Sequence, residues 1–86
     1  MEKSVFSRRY GLFLRVLREA RERSGLTQVQ LAERLGQTQS FVSKCERGER
    51  RLDFVEVHAF CSALGVTLSD FVRGLEDAIR EEGANQ

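Results

Sequence analysis

The polar residues between positions 38 and 47 have the spacing of one face of an α-helix. At about 100° per residue, one side of such a helix carries Gln39, Ser40, Ser43, Lys44 and Arg47. The opposite side carries Thr38, Phe41, Val42 and Cys45. Glutamine can pair with adenine, lysine can donate to guanine, and serine suits a base or a phosphate. The face is therefore equipped to read base edges in a DNA major groove, whereas most polar helix faces are only solvated.

Two features of this segment favour a polyanion partner over simple solvation. The polar face contains no acidic residue, and Arg50 and Arg51 follow it directly, where a phosphate backbone would run. Residues 1–51 contain twelve Lys/Arg against six Asp/Glu, and residues 52–86 contain two against seven. A basic half joined to an acidic half is typical of a protein with one face toward a polyanion, although uneven scatter in a short chain gives the same pattern. We expect Arg47, Arg50 and Arg51 to contact phosphates.

One acidic residue, Glu46, falls at the boundary of the apolar side of this helix. A carboxylate in that position needs a cation, and Arg21, near the end of the first helix, can supply a bidentate partner. Such a pair would fix the third helix against the first, even if its net contribution to stability is near zero.

Capping residues and glycines mark the helices that must position these side chains. A Thr or Asp is followed three residues later by a side chain that can return its hydrogen bond at Thr27–Gln30, Asp53–Glu56 and Thr67–Asp70. The expected left-handed stops are Gly25, Gly36, Gly48 and Gly65. Without proline or strand-like alternation, the sequence predicts an all-α, five-helix domain over residues 1–82 and a frayed tail over 83–86. The predicted helices span about 7–24, 27–35, 38–47, 53–64 and 67–81.

The last two helices have different apolar patterns. The fourth has one stripe, formed by Phe54, Val57, Phe60, Cys61 and Leu64. The fifth has more apolar residues than one face needs, namely Leu68, Phe71, Val72, Leu75 and Ile79. Leu68, Val72, Leu75 and Ile79 therefore form a candidate dimer surface, and the alternative is that all of them fill the core.

The sequence contains nothing that supports catalysis. Its single histidine, His58, lies at the edge of the fourth apolar stripe, where a partly buried structural role is expected. Cys45 and Cys61 are expected to be core residues in a reducing cytosol, and no Cys–His spacing suits zinc. No cofactor, metal or small-molecule ligand is predicted. No apolar stretch has the length of a membrane span or a secretory signal, so a cytoplasmic protein is expected.

Two segments of the chain match a known pattern closely. Residues 26–36 read LTQVQLAERLG and residues 39–48 read QSFVSKCERG. Together with ALGV at 63–66, they strongly resemble the phage-repressor helix-turn-helix family, the Cro/cI-like or XRE group. The similarity covers about residues 8–75.

The resemblance implies a five-helix domain in which the second and third helices form the helix-turn-helix. It implies that Gln28 binds a backbone phosphate, helped by the helix dipole, and that Gln39, Ser40 and Lys44 make the main base contacts, with Ser43 a lesser candidate. Arg21 and Glu46 occupy the positions of the family's buried ion pair. Phe41 is larger than the residue some members carry there, so it either packs at the edge of the core or contacts a thymine methyl group.

These observations together predict a sequence-specific DNA-binding transcriptional regulator, most simply a repressor, whose partner is double-stranded DNA. A domain of this size reads few base pairs, so we expect a homodimer on a pseudo-palindromic operator. The alternative is a protein-interaction module on the same fold, such as an antitoxin-like partner or a transcriptional coactivator. The acid-free polar face argues against that alternative, because protein interfaces favour aromatic and apolar anchors.

Overall fold

Five α-helices account for most of the chain. The computed structural model describes residues 5–84, and the helices are α1 (Val5–Arg23), α2 (Gln28–Leu35), α3 (Gln39–Glu46), α4 (Phe54–Leu64) and α5 (Leu68–Ala84). No strand occurs within these residues, which confirms the all-α prediction. α5 extends beyond its predicted end at residue 81 and into the predicted tail. A glycine costs a helix only about 1 kcal/mol relative to alanine, and Gly83 does not end it. Residues 85 and 86 lie outside the described residues.

Reciprocal capping boxes begin α2 and α4 as predicted. Thr27 Oγ1 accepts from Gln30 N at 3.1 Å, and Gln30 Oε1 accepts from Thr27 N at 2.9 Å. Asp53 and Glu56 make the same pair of bonds at 2.7 and 2.9 Å. Each capping residue has extended backbone, so each helix begins one residue after its predicted start.

Threonine hydroxyls close the first turns of α3 and α5. Thr38 Oγ1 accepts from Phe41 N at 3.1 Å, and Thr67 Oγ1 accepts from Asp70 N at 3.0 Å. The predicted return bond from Thr67 N to Asp70 is not formed, and Asp70 Oδ1 accepts from Arg73 Nη1 at 3.3 Å instead. Thr38 was predicted to lie on the buried side of the third helix, but it is exposed. The helical projection does not apply to it, because the residue that caps a helix lies outside the helical backbone.

The four predicted glycine stops all have left-handed backbone, with φ between 68° and 79°. At the end of α2, Gly36 N and Gln37 N return to the carbonyls left open by the last turn, including Gln37 N to Ala32 O at 2.9 Å. Gly48 ends α3 in the same conformation and is also confined: a Cβ there would lie 2.9 Å from Leu14 Cδ1. The turn after α3 therefore needs glycine for its backbone and for its close approach to α1.

The core draws side chains from all five helices. α1 packs against α3 and α5, α2 against α3 and α4, and α4 against α5. Leu17, Val42 and Cys45 are almost completely buried, and Phe13 of α1 meets Phe71 of α5 edge-on with ring centroids 5.8 Å apart. Burying such a side chain stabilises the fold by about 1.5–3 kcal/mol, so α3 is seated by apolar contact along one side.

Two predictions for α4 are wrong. Phe54 is 69% exposed and does not belong to the apolar stripe, and His58 is exposed rather than partly buried. Leu52, just before the capping residue, and Val57 occupy the core side at this end of α4, so the first turn of the helix projects beyond its neighbours. The adjacent Val55 is 76% exposed for the same reason.

The apolar residues of α5 are divided between core and surface. Phe71 and Ala78 are buried, whereas Leu68, Leu75 and Ile79 are only half-buried and Val72 is 40% exposed. No single helix within residues 5–84 is long and apolar enough to cross a membrane, although α4 and α5, with a 107° bend between them, pass that test as a pair.

Replacing Gly48 with alanine should destabilise the protein more than replacing Gly36. Both glycines are left-handed, which costs an alanine about 1–2 kcal/mol. Only the Cβ at position 48 also forces Leu14 to move, since the space around position 36 is open. Urea denaturation of Gly48→Ala and Gly36→Ala measures the difference, and equal losses would show that the contact with Leu14 has no energetic weight.

Candidate nucleic-acid interface

α3 presents its polar face to solvent. Gln39, Ser40 and Lys44 are exposed and Ser43 is half-buried, while Val42 and Cys45 beneath them are fully buried. Apart from Thr38, the two sides of the helix therefore separate as the sequence predicts. Phe41 is half-buried, 6.4 Å from the ring of Phe60 between centroids, which places it at the edge of the core.

A buried ion pair joins α3 to α1. Arg21 Nε donates to Glu46 Oε2 at 2.6 Å and Arg21 Nη2 donates to Oε1 at 3.1 Å. The side chains are only 12% and 4% exposed. Arg21 Nη1 also donates to the carbonyl of Leu26, ahead of α2, at 2.9 Å. The expected bidentate geometry is present, and it fixes the rotation of α3 relative to α1 and the approach to α2.

Two glutamines continue this network to the surface. Gln28 Nε2, at the start of α2, donates to Glu46 Oε1 at 2.9 Å. Gln39 Nε2, at the start of α3, then donates to Gln28 Oε1 at 2.8 Å. The first exposed side chain of α3 is thus linked to the buried pair through one intermediate. This link was not predicted from the sequence, whose only signal is a glutamine at the first position of both helices.

Arg47, the last residue of the polar face, is engaged within the molecule. Its Nε donates to Glu49 Oε2 at 2.8 Å, and its Nη1 donates to the hydroxyl of Ser43. The hydrogen bond from Arg47 lowers the pKa of Glu49, and the same bond raises the pKa of Arg47. The polar face itself contains no acidic residue, but the loop after α3 brings the carboxylate of Glu49 next to it.

Arg50 is held by a carboxylate and an aromatic ring. Its guanidinium bonds both oxygens of Glu56, at 2.8 and 3.2 Å, and lies 4.9 Å from the centroid of Phe41. The hydrogen bond from Arg50 is the main cause of the lowered pKa of Glu56, and the bond from the Asp53 backbone adds to it. Glu56 thus serves the capping box of α4 and the cation of the preceding loop at once.

Arg51 lies against α1. Its guanidinium is 4.2 Å from the centroid of the Tyr10 ring, and the Tyr10 hydroxyl accepts from Leu52 N at 3.1 Å. The two arginines therefore attach the loop after α3 to different helices: Arg50 to α3 and α4, and Arg51 to α1 through Tyr10. Both side chains remain exposed.

The described residues contain no cluster of three His, Cys, Asp or Glu side chains that could hold a metal ion. Cys45 and Cys61 are free thiols in the core, as predicted, and burial raises the pKa of each. A thiol with a raised pKa is a poor nucleophile and a poor metal ligand at neutral pH.

Comparison with known proteins agrees with this geometry. A family model described as a helix-turn-helix domain matches residues 10–72. Among solved structures, an XRE-family like protein from Pseudomonas syringae pv. tomato is 45% identical, covering 85% of this chain and 89% of that chain, with a TM-score of 0.79. The chain belongs to the XRE-type helix-turn-helix family.

A second solved structure, the clp gene regulator ClgR from C. glutamicum, is 27% identical to this chain. The match covers 81% of this chain and 88% of ClgR, with a TM-score of 0.68. No curated protein sequence matches at a significant level. The matched residues 10–72 include α2 and α3, the two helices of the motif. As a member of this family, the XRE-type protein is a DNA-binding transcription regulator.

Removing one partner of the buried ion pair should destabilise the XRE-type protein more than removing both. Arg21→Met leaves the carboxylate of Glu46 desolvated and unpaired, which we expect to cost about 3 kcal/mol. The double variant Arg21→Met/Glu46→Met leaves no buried charge and should recover part of that loss. Urea denaturation of Arg21→Met, Glu46→Met and the double variant measures the coupling. Additive losses would contradict a direct interaction.

The pair between Arg50 and Glu56 should stabilise the XRE-type protein only where Glu56 is ionised. Because the folded state lowers the pKa of Glu56 below 4.5, its contribution is present above the unfolded-state pKa and is lost as pH falls through the folded-state value. Glu56→Gln keeps an oxygen for the capping box but removes the charge. The stability difference between wild type and Glu56→Gln should be measurable near neutral pH and vanish well below pH 4.5; a pH-independent difference would contradict this origin.

Proposed function

We propose that this chain is a sequence-specific transcriptional repressor that inserts α3 into the DNA major groove, acts as a homodimer and needs no cofactor. The observation that carries the proposal is the outward face of α3: Gln39, Ser40 and Lys44 are exposed together above a fully buried seat of Val42 and Cys45. Base readout needs a rigid helix whose donors and acceptors are unobstructed, and this helix meets both conditions.

The link between the two glutamines supports the base-reading role of Gln39. A glutamine amide has two N–H donors and one carbonyl oxygen. One N–H of Gln39 is used by Gln28 Oε1, which leaves one donor and the acceptor. These are the groups that pair with N7 and the N6 amine of adenine. Gln39 can therefore keep its contact with Gln28 while it reads a base.

The phosphate contacts proposed for Gln28, Arg47, Arg50 and Arg51 surround this face. Gln28 retains one N–H beyond its bond to Glu46, and it stands at the N-terminus of α2, where anions are favoured. Arg47 and Arg50 would exchange Glu49 and Glu56 for phosphate oxygens. The first pair is exposed and the second is partly exposed, and solvent screens such pairs so that they add little to stability; this exchange therefore costs little.

The proposed dimer uses α5. Leu68 and Leu75 pack partly against the core, but none of Leu68, Val72, Leu75 and Ile79 is fully buried. The flanking residues Arg73, Glu76 and Arg80 carry both signs of charge along the same surface, as a self-complementary two-fold interface requires. A dimer would supply the second half-site contact that one small domain lacks.

A protein-interaction module is the second candidate function. The observation that favours it is the pair Phe54 and Val55, which are 69% and 76% exposed on the first turn of α4. Adjacent exposed apolar side chains can anchor a protein partner. In that case Lys44→Glu would leave partner binding intact, and DNA affinity would be equally weak in the wild type and the variant. The repressor proposal instead requires Lys44→Glu to abolish operator binding.

Selection of preferred sites from a random duplex pool should yield an inverted repeat with half-sites about 10 base pairs apart, centre to centre. Lys44→Ala should then weaken binding to that consensus by about 1–3 kcal/mol with little effect on a scrambled duplex. Arg23→Ala, which removes the same charge from a site outside both the α3 face and the proposed dimer surface, is the matched control. No consensus would overturn the proposal, and a single unrepeated half-site would overturn the dimer. A reporter with the consensus over its promoter tests repression.

A further inference from the structure

A row of arginines on α1 is not explained by the core or by the helix-turn-helix. Arg8, Gly11, Arg15 and Arg18 are spaced by 3, 4 and 3 residues, so they share one face of the helix. All three arginines are exposed. We call this row the α1 arginine stripe.

The α1 arginine stripe faces the proposed DNA-binding surface. Gly11, Arg15 and Arg18 form one wall of an open groove, and Gln28, Arg47 and Glu49 form the other. Two of the residues proposed to hold phosphates thus lie directly across the groove from α1. A phosphate backbone that reaches Gln28 would run beside this stripe.

The cations of the stripe are largely free of internal partners. Within the described part of the chain, Arg8 and Arg18 make no ion pair or hydrogen bond through their side chains, and Arg15 only approaches Glu19 at 3.9 Å. The two carboxylates on the opposite wall are already engaged, Glu46 by Arg21 and Glu49 by Arg47. The groove therefore holds unneutralised positive charge on its α1 side.

Gly11 points to an external occupant independently of the charges. It lies inside α1, where glycine is less favourable than alanine. Its φ is not left-handed, and a Cβ at this position would meet no atom within 4 Å. Neither the backbone nor the packing of the monomer requires glycine here. Because glycine has no side chain, α1 does not project into the groove between Arg8 and Arg15.

We propose that the α1 arginine stripe is a second phosphate-binding surface, which holds the DNA backbone beside the bases that α3 reads. Arg15 and Arg18 contact phosphate oxygens across the groove from Gln28, and Gly11 allows the backbone to approach α1 closely. This inference rests on the proposed DNA-binding function. It adds contacts that strengthen binding to any duplex and carry no base preference.

Arg18→Gln tests the charge. Its affinity should fall about threefold to tenfold for the selected consensus and a scrambled duplex alike, and the slope of log affinity against log salt should shrink by about 1. Arg23→Gln is the matched control, because Arg23 lies on α1 in a different groove, against α5. In an ethylation-interference experiment, Arg18→Gln should lose one phosphate per half-site at which ethylation blocks binding, and Arg23→Gln should lose none.

Gly11→Leu tests whether the DNA backbone approaches α1 closely at this position. Leucine is the better helix former, so the melting temperature should rise by a few degrees while affinity for both duplexes falls. Gly83→Leu is the control, since Gly83 is also a helical glycine with open space but lies at the end of α5. A stabilised Gly11→Leu variant with wild-type affinity would overturn the proposed close approach.

The remaining outcomes separate this inference from the proposed function. Normal consensus binding with an unchanged salt slope in Arg18→Gln would overturn the stripe alone. A loss confined to the consensus would mean that Arg18 contacts a base, and an equal loss in Arg23→Gln would mean that only net charge matters; either result overturns it. A groove that holds an acidic protein segment would also leave DNA affinity unchanged. Absence of DNA binding by the wild-type protein would overturn both proposals.

Discussion

The ion pair between Arg21 and Glu46 is the interaction on which the geometry of the interface depends. Apolar contacts hold α3 against the core, but such contacts are non-directional and would tolerate a small rotation of the helix. The two parallel hydrogen bonds of the pair do not. Because burying both charges costs about as much as their attraction returns, we interpret the pair as a device for orientation. Its acceptor oxygen also holds Gln28, so the register of α2 and α3 is set at one point.

More of the positive charge in the basic half of the chain is paired with carboxylates than the sequence suggests. Residues 1–51 have twelve cations and six anions, yet Glu49 and Glu56 are placed next to the arginines of the α3–α4 loop. In the proposed complex with DNA, these carboxylates would give way to phosphate oxygens. A cation that already has a partner gains less from a phosphate than a free one, which limits attraction to DNA of arbitrary sequence. Within residues 5–84, the cations that have no carboxylate partner include Lys44 on α3 and Arg8 and Arg18 on α1.

Local rules predicted most of the fold. The capping boxes of α2 and α4 and the four left-handed glycines depend on residues within a few positions of one another, and all were found as expected. The pairing of Arg21 with Glu46 could also be predicted, because one buried acid and one suitable cation leave little choice. Phe54 and His58 were misplaced because periodicity describes which side of a helix is apolar and not where along its length the neighbouring helices end.

The network outside the buried pair could not be predicted. The bond from Gln39 to Gln28 depends on the relative position of two helices to within a fraction of an ångström. The pairing of Arg47 with Glu49 depends on the conformation of a loop whose residues have no periodic pattern. The partners of Arg50 and Arg51, a carboxylate and two aromatic rings from three different helices, likewise follow from tertiary structure alone.

The tether between Gln28 and Gln39 affects the thermodynamics of recognition. A long side chain that is immobilised at an interface loses about 0.5–1.5 kcal/mol of conformational entropy. Gln39 already has a fixed amide in the free protein, so that entropy is lost during folding and not during association. In the proposed readout, its amide therefore meets each base pair in one orientation, and a mismatched edge cannot be accommodated simply by choosing another rotamer.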